Sequence, residues 1–230
     1  MSAPARVIPS SHSSLATFDT CPHQYEARYV IKDVKFTQGP EAEWGDAVHK
    51  ALESYVRDGV ALPANMRQYG RFAEGMRRRS QGGTLYAERA FAITIDRQPT
   101  EFFAPDVWLR SKIDVVLHFG HYAEVFDWKT GKQKSDQTQL RLYAAMVFIA
   151  FPDVQTIKAG YVWLKDAVVS APAVYQRSQL DELLATFEEK HERVVAAYEL
   201  GVFPPKPSGL CNGWCDVRRC SYWRPKRERR

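Results

Sequence analysis

Two aspartates and a lysine lie on either side of one predicted hairpin turn. The segment around them is rich in β-branched and aromatic residues, and Gly120-His121 has the Gly-X form of a type II′ turn. If that turn closes the hairpin, Asp114 lies directly opposite Asp127, at a Cβ separation of roughly 4.5 to 5.5 Å. Two like charges there repel unless a cation lies between them. Lys129 shares the strand face of Asp127, so the pattern predicts metal-assisted attack on a phosphate.

Hydrophobic patterning predicts the elements that position these residues. Apolar residues that recur every three or four positions indicate helices over 41–57, 66–79, 137–150 and 179–200. Enrichment in β-branched and aromatic residues indicates strands over 84–95, 107–119, 122–128 and 156–164. A helix separates the last two strands, so a right-handed crossover would make them parallel.

The predicted fold is therefore α/β, with a mixed sheet flanked by helices. We expect a single domain over residues 1–230, built from three parts. These are a helical part (13–83), a sheet and helix that carry the catalytic residues (84–165), and a C-terminal helix with a cysteine-rich tail (166–230).

Composition narrows the class of protein. At 45% hydrophobic and 13% aromatic residues, the 230-residue chain has enough apolar material to bury a core. No apolar run reaches the ~18 residues that a membrane span needs, and the N-terminus lacks the apolar segment of a signal peptide. We therefore expect a soluble intracellular protein without a membrane partner.

The net charge of +5 is concentrated at the C-terminus. Seven basic residues and one acidic residue lie between Arg218 and Arg230, so the rest of the chain is close to neutral. Such a tail is typical of contact with a phosphate backbone, and equally of a solvated terminus that aids solubility.

Four cysteines form the second candidate site. Cys211, Cys215 and Cys220 are close in sequence, and Cys21 lies near the start of the chain. Because no export signal favours disulfides, a shared four-thiolate site for an iron–sulfur cluster or zinc is the preferred interpretation. Such a site would join the N-terminal helix to the C-terminal tail. The alternative is four unrelated buried thiols.

Three further residues have both a functional and a structural interpretation. Gln139 and Tyr143 are one helical turn apart and could face a nucleic acid. Equally, Gln139 could complete a capping box with Asp136, and Tyr143 could belong to the core. His49 lies beside the apolar stripe of its helix, where a lone histidine is more often structural.

Six motifs taken together resemble the RecB-like branch of the PD-(D/E)xK nuclease superfamily, in its iron–sulfur form. They cover nearly the whole chain, in the order of that family. They are Ser-Leu-x-x-Phe-x-x-Cys-Pro ending at Cys21-Pro22, Gly45-Asp46-Ala47-Val48-His49, Ile113-Asp114, Asp127-Trp128-Lys129-Thr130-Gly131, Gln139-Leu140-x-x-Tyr143, and Phe203-x-Pro205 followed by Cys211, Cys215 and Cys220. The segments Gly213-Trp214-Cys215 and Cys220-x-Tyr222-Trp223 are most similar to those of phage exonucleases.

The resemblance implies a restriction-endonuclease-like core whose N- and C-terminal segments meet at an iron–sulfur site. It also implies a role for each motif residue. His49, Asp114, Asp127 and the backbone carbonyl of Trp128 would bind Mg²⁺ or Mn²⁺, and Lys129 would act on the attacking water and the scissile phosphate. Gln139 and Tyr143 would contact DNA or support the active site. Cys21, Cys211, Cys215 and Cys220 would hold a [4Fe-4S] cluster.

The sequence departs from the family pattern at three places. Ser111 lies where a glycine often precedes the first aspartate, and Trp128 replaces a tyrosine. The spacing Cys-x3-Cys-x4-Cys differs from the Cys-x2-Cys-x5-Cys of several members. This last difference keeps Zn²⁺ as an alternative at the cysteines.

The function that the resemblance implies is a Mg²⁺- or Mn²⁺-dependent deoxyribonuclease, an exonuclease on single-stranded DNA or duplex ends. We expect it in the cytoplasm of a bacterial or phage-infected cell, with DNA as its partner. One alternative is a catalytically silent, DNA-binding iron–sulfur subunit of a recombination complex. Such a relative should have lost Asp114, Asp127 or Lys129, and all three are present. Another is a CRISPR-adaptation nuclease that works with an integrase.

Overall fold

The computed structural model describes residues 7–34 and 39–226. The last residues of the predicted basic tail, from Arg227 to Arg230, lie outside this part of the chain. The chain forms two compact units. The first includes residues 7–9 and Gly39–Ala185, and the second combines a segment that begins at Ser10 with one that begins at Thr186. That all of this forms one nuclease domain stays a prediction.

The helices lie close to where the sequence predicts them. In chain order they are α1 (His12–Thr20), α2 (Pro22–Tyr25), α3 (Pro40–Asp58), α4 (Gly70–Arg79), α5 (Thr138–Ala150) and α6 (Leu180–Leu200). A π-helical turn covers Glu26–Ile31, and 3-10 turns cover Ala64–Tyr69, Arg177–Gln179 and Gly209–Cys211. Within the described ranges, no helix combines the length and apolar character that crossing a bilayer requires.

One predicted helix is corrected. The pattern over 66–79 predicts a continuous helix, but its first part is the 3-10 turn Ala64–Tyr69 and only Gly70–Arg79 is α-helical. Pro63 directly before the turn and Gly70 directly after it favour a tight turn at this point, because neither residue stabilises a long helix.

A six-stranded mixed sheet forms the centre of the first unit, as far as the described residues show. Its strands are β1 (Thr84–Ile93), β2 (Leu109–His118), β3 (Tyr122–Lys129), β4 (Thr156–Trp163), β5 (Val168–Val169) and β6 (Ala173–Gln176). The order is β1-β2-β3-β4-β5, and β6 also pairs with β4. Strands β3 and β4 are parallel and α5 connects them, which confirms the predicted crossover.

The hairpin of β2 and β3 has the predicted register. Val115 pairs with Phe126 and Val116 with Val125, so Asp114 and Asp127 occupy the next pair of positions. Gly120 has a φ of 70°, as the first central residue of a type II′ turn requires. The two aspartates therefore lie where the strands begin to separate.

The core of the first unit joins helices to one face of the sheet. Leu52 of α3, Leu117 of β2 and Trp128 of β3 are at most 1% exposed and belong to one apolar cluster. Full burial of each such side chain contributes about 1.5 to 3 kcal/mol. This packing fixes α3 against the strands that carry the aspartates.

The second unit brings its two chain segments together through polar contacts. Asp216 accepts a bond from Gln24 Nε2 at 3.0 Å, and its Oδ2 lies 2.7 Å from Arg28 Nη2. Asp19 lies 2.7 Å from Lys190 Nζ. The N- and C-terminal segments are thus joined by ion pairs and hydrogen bonds between protein groups.

Candidate active site

A histidine and two carboxylates converge at the point where β2 and β3 separate. One ligand atom from each of His49, Glu88 and Asp114 can be chosen so that all three lie within 4.8 Å of one another. His49 Nδ1 is 3.0 Å from Asp114 Oδ1 and 3.7 Å from Glu88 Oε1. Helix α3, strand β1 and strand β2 each supply one member of this group, which we call the acidic triad.

The position of His49 depends on a close approach of α3 to the end of β3. A Cβ added at Gly45 would lie 3.1 Å from Thr130 Oγ1, which is tighter than an ordinary contact. Glycine therefore lets the first half of α3 pass next to Thr130. One turn later, His49 reaches Asp114.

Asp114 is fixed from two sides. Its Oδ1 accepts the His49 bond, and its Oδ2 accepts a 2.7 Å bond from the backbone N–H of Trp128. The residue as a whole is 7% exposed. Both oxygens are thus oriented by the fold without any added ligand.

Glu88 has an unusual backbone conformation within β1. Ala87 pairs with Val115 and Arg89 with Ile113, which places Glu88 opposite Asp114. Its φ is 49°, a region that costs a non-glycine residue about 1 to 3 kcal/mol. The surrounding β1–β2 pairing maintains this strain, at a point where two carboxylates face each other.

Four side chains near the acidic triad form a closed ring of hydrogen bonds and one ion pair. Lys129 Nζ donates to Gln139 Oε1 at 2.7 Å, Gln139 Nε2 donates to the Tyr143 hydroxyl at 2.6 Å, and that hydroxyl donates to Asp127 Oδ1 at 2.8 Å. Asp127 Oδ2 lies 2.7 Å from Lys129 Nζ and completes the ring. We call this arrangement the lysine ring. It positions both the ammonium and the carboxylate before any substrate binds.

The electrostatics of the triad reflect burial and crowding of negative charge. Burial and the nearby Asp127 raise the pKa of Asp114 to about 7. Burial alone would lower the pKa of His49, but hydrogen bonds to Asp114 and Glu88 raise it to about 10. The bond to His49 also lowers the pKa of Glu88. The site therefore stabilises positive charge among its carboxylates.

The residues fit a bound divalent cation. The triad supplies two carboxylates and an imidazole within reach of one ion, and carboxylate oxygens suit Mg²⁺ and Mn²⁺. Asp127 Oδ2 is buried and has no directed hydrogen bond, although Lys129 Nζ is close. This buried oxygen, which no directed hydrogen bond satisfies, lies next to Asp114 in the strand register and could accept a cation.

The structure brings together most of the residues predicted from the sequence. His49, Asp114, Asp127, Lys129, Gln139 and Tyr143 lie in one connected network, and Trp128 joins it through its backbone N–H. Asp127 is outside the 4.8 Å triad and bonds to Tyr143 instead. The metal-ligand roles of Asp127 and of the Trp128 carbonyl stay predictions.

One structural alternative is wrong, and one residue near the site was not predicted. Gln139 does not form a capping box with Asp136, because its side chain bonds to Lys129 and Tyr143, while Asp136 Oδ1 accepts from the Thr138 backbone. Glu88 was missed entirely. The register of β1 against β2 would have revealed it, because it places Glu88 opposite Asp114.

The cysteines lie together in the second unit. All four line one pocket, together with residues such as His23, Pro207 and Trp223. None of them forms a disulfide. Among the described residues, no three of these sulfur atoms lie within 4.8 Å of one another. The predicted proximity is thus present, but the thiols do not adopt the compact arrangement of a tetrahedral zinc site.

Three of the sulfurs accept hydrogen bonds. The backbone N–H of Lys206 donates to Cys21 Sγ at 3.3 Å, and that of Ser208 donates to Cys211 Sγ at 3.5 Å. Gln24 Nε2 donates to Cys215 Sγ at 3.6 Å. Burial nevertheless raises the pKa of the Cys215 thiol, so the metal-free site does not favour its thiolate form.

Matches among solved structures include two proteins of low sequence identity. A proposed exonuclease from Eubacterium rectale is 14% identical, with a TM-score of 0.51 over 89% of this chain and 86% of that protein. The protein SSO0001 is 15% identical, with a TM-score of 0.44 over 96% of this chain and 89% of that protein. No curated protein gives a significant match.

The family assignment comes from the sequence as a whole. A model of the PD-(D/E)XK nuclease superfamily matches residues 9–222, a range that contains the acidic triad, the lysine ring and all four cysteines. The mixed sheet flanked by helices is consistent with the core of that family. The chain therefore belongs to the PD-(D/E)XK nuclease superfamily.

Proposed function

We propose that this nuclease is a Mg²⁺- or Mn²⁺-dependent DNA exonuclease that acts on single strands or duplex ends. The observation that carries the proposal is the acidic triad adjoining the lysine ring, at the fork between β2 and β3. An ion-binding group next to a positioned ammonium is the arrangement that phosphodiester hydrolysis requires.

The acidic triad would hold the metal ion, with Asp127 Oδ2 as a further ligand. The bound ion would lower the pKa of a water molecule and neutralise charge on the scissile phosphate. The backbone N–H of Trp128 fixes Asp114 through Oδ2, so Oδ1 would be the ligand atom and would exchange its bond to His49 for the ion. The chain thus provides preorganised oxygens at the reaction centre.

Lys129 would act on the nucleophile and the phosphate. The Lys129 side chain is 29% exposed, so a substrate can reach it, while Gln139 and Asp127 fix the direction of Nζ. A lysine held in this way can orient the attacking water and donate to a phosphate oxygen. Gln139 and Tyr143 would be positioning residues that act through Lys129 and Asp127.

The substrate class and the mode of cleavage rest on the motif resemblance. The tail segment Gly213-Trp214-Cys215 is similar to that of phage exonucleases, which degrade DNA from ends. The intact network around Lys129 argues against a silent DNA-binding subunit, because such a subunit has no need to preserve it.

The test compares linear and circular DNA. Wild-type protein should degrade end-labelled linear single strands in Mn²⁺ or Mg²⁺ and leave circular single strands intact, and EDTA should abolish the reaction. Lys129→Ala should be inactive, whereas Lys158→Ala, an exposed lysine on β4, should behave as wild type. Full activity of Lys129→Ala would reject the mechanism, and cleavage of circles would reject the exonuclease assignment.

We also propose that the four cysteines hold a [4Fe-4S] cluster. The shared pocket and the three N–H donors to sulfur support a common metal site. A cluster accepts a wider separation of sulfurs than a single zinc ion does, because four irons and four sulfides lie between them. This favours iron–sulfur over the Zn²⁺ alternative.

Anaerobic purification decides between these cofactors. The cluster predicts a brown protein with broad visible absorbance and about four irons per chain, the stoichiometry of a [4Fe-4S] centre. Cys211→Ser should lose both the colour and most of the iron. A colourless protein with one zinc ion per chain would contradict the proposal.

A further inference from the structure

A strip of cationic and aromatic side chains leads away from the active site along β2. Lys112 and Arg110 are two and four residues before Asp114, so alternation along the strand places them on the same face. Successive members of this face are separated by about 6.6 to 6.8 Å. Phosphates along an extended nucleic acid strand have a similar spacing.

The side chains of the neighbouring strand β1 are too small to cover Lys112 and Arg110. Lys112 pairs with Ala90 and Arg110 with Ala92, so only the methyl group of an alanine lies opposite each cation. Lys112 is exposed and Arg110 is half-buried. A flexible polymer could therefore approach both cations along the strand.

The strip ends at two phenylalanines in the connection between β1 and β2. The Arg110 guanidinium lies 5.2 Å from the Phe102 ring centroid and 5.3 Å from that of Phe103, and Nη1 donates to the Phe102 carbonyl. The two rings form an edge-to-face pair with centroids 5.0 Å apart. Arg110 thus supports the aromatic pair from one side.

Phe103 is almost fully exposed, although burial of its apolar ring would stabilise the fold. Its side chain is 83% exposed, the highest value among the large apolar residues of the described chain. Backbone hydrogen bonds fix both ends of the connection between β1 and β2. The Thr100 N–H donates to the Ala92 carbonyl, and the Trp108 N–H donates to the Ile93 carbonyl. A fixed loop therefore presents an aromatic face to solvent.

We propose that Lys112, Arg110, Phe102 and Phe103, here called the β2 strip, bind the single-stranded part of the DNA substrate. Lys112 and Arg110 would contact successive phosphates, and Phe103 would stack on a base. Stacking requires an unpaired base, so the strip selects single strands over duplex. This inference rests on the proposed function, because it assigns the substrate class of the same site.

The distance along β2 predicts which base of the substrate stacks on Phe103. Arg110 is four residues from Asp114, a distance of about 13 Å along the strand. This corresponds to about two nucleotides of an extended strand. Phe103 should therefore stack on the second or third base from the scissile phosphate.

The first test measures binding without cleavage. In EDTA, fluorescence anisotropy with a labelled single-stranded 12-mer should give a Kd about 10-fold higher for Phe103→Ala than for wild type, within the range expected for loss of one stacked base. Ile95→Ala, which alters another exposed apolar residue of the same connection, should leave the Kd unchanged. Equal affinity of wild type and Phe103→Ala would overturn the proposal.

The second test compares cleavage of an intact single strand with cleavage of a strand that lacks one base. A single abasic site at the second or third nucleotide should slow cleavage by wild type, and Phe103→Ala should be insensitive to that abasic site. If wild type cleaves and both enzymes respond equally to the abasic site, the β2 strip is wrong and the proposed function stands. If wild type binds single strands through Phe103 but does not cleave, the strip stands and the nuclease proposal fails.

Discussion

The acidic triad and the cysteine pocket are two candidate metal sites built in different ways. The triad lies on a helix and two paired strands, and hydrogen bonds already direct its atoms toward one another. The cysteines lie at a helix junction, a 3-10 turn and turns of the C-terminal segment, and their sulfurs are near but not compact. Regular structure positions the first set, while the second depends on loops.

This difference predicts how each site responds when its metal ion or cluster is removed. Backbone pairing holds Asp114 and Glu88 in place whether or not an ion is bound, so metal removal should abolish chemistry and preserve structure. Loops that carry thiolates gain much of their order from the metal centre itself. Loss of the cofactor should therefore loosen the cysteine segment.

The largest effect is expected for Asp114→Asn. The amide still accepts a bond from the Trp128 N–H but is a poor ligand, so activity should fall by about 10³-fold or more, equivalent to several kcal/mol of transition-state stabilisation. Urea unfolding should show a loss of about 1.5 to 3 kcal/mol, because the shape and the backbone bond are retained but the bond to His49 is lost. Asp153→Asn, at an exposed position, is the matched control for both measurements. A loss of stability as large as the loss of activity would show that the triad is structural.

The next effect concerns the cysteine segment and rests on the proposed cluster. Cys215→Ser should increase amide exchange in residues 206–226 by about 10²-fold, because local opening there no longer has to break metal–thiolate bonds. Amides of β2 should keep their protection. Ser221→Ala, between the same turns, should exchange as wild type does. Uniform loss of protection in both segments would contradict the distinction drawn between the two sites.

Much of the first site could be predicted because it depends on strand periodicity. A turn at Gly120 fixes the register of β2 against β3, and the register alone places Asp114 beside Asp127. The Gly45-to-His49 spacing belongs to one helical turn, which local sequence also determines. These relationships extend over a few residues, so pattern alone is sufficient.

The remainder depended on long-range packing. Glu88 enters the site through pairing with a strand that begins about twenty residues later, and its positive φ has no sequence signal. The side chain of Gln139 has several partners within reach, and only the position of Lys129 on the neighbouring strand decides among them. The arrangement of the thiols depends on loop geometry, which spacing does not specify.

A smaller effect is expected for Glu88→Gln, which removes one charge from the triad. Activity should fall by about 10- to 100-fold, the range typical when a metal site loses one supporting group. Thermal stabilisation of the protein by Mn²⁺ should weaken as well, because it reports ion affinity directly. Glu101→Gln, at an exposed acidic position, should change neither quantity. Unchanged stabilisation by Mn²⁺ would remove Glu88 from the metal site.

The smallest effect distinguishes a positioning role for Tyr143 from a purely structural one. Tyr143→Phe keeps the buried ring but removes the hydroxyl that links Gln139 to Asp127, so kcat should fall about 10-fold, close to the value of one hydrogen bond to a charged group. The matched control is Tyr175→Phe, because the Tyr175 hydroxyl is buried without a hydrogen-bond partner in the described chain. If Tyr143 served only the core, both variants would retain wild-type kcat. If the lysine ring acts as a unit, Gln139→Leu combined with Tyr143→Phe should cost less than the sum of the single variants, because either change already removes the link from Gln139 to Asp127.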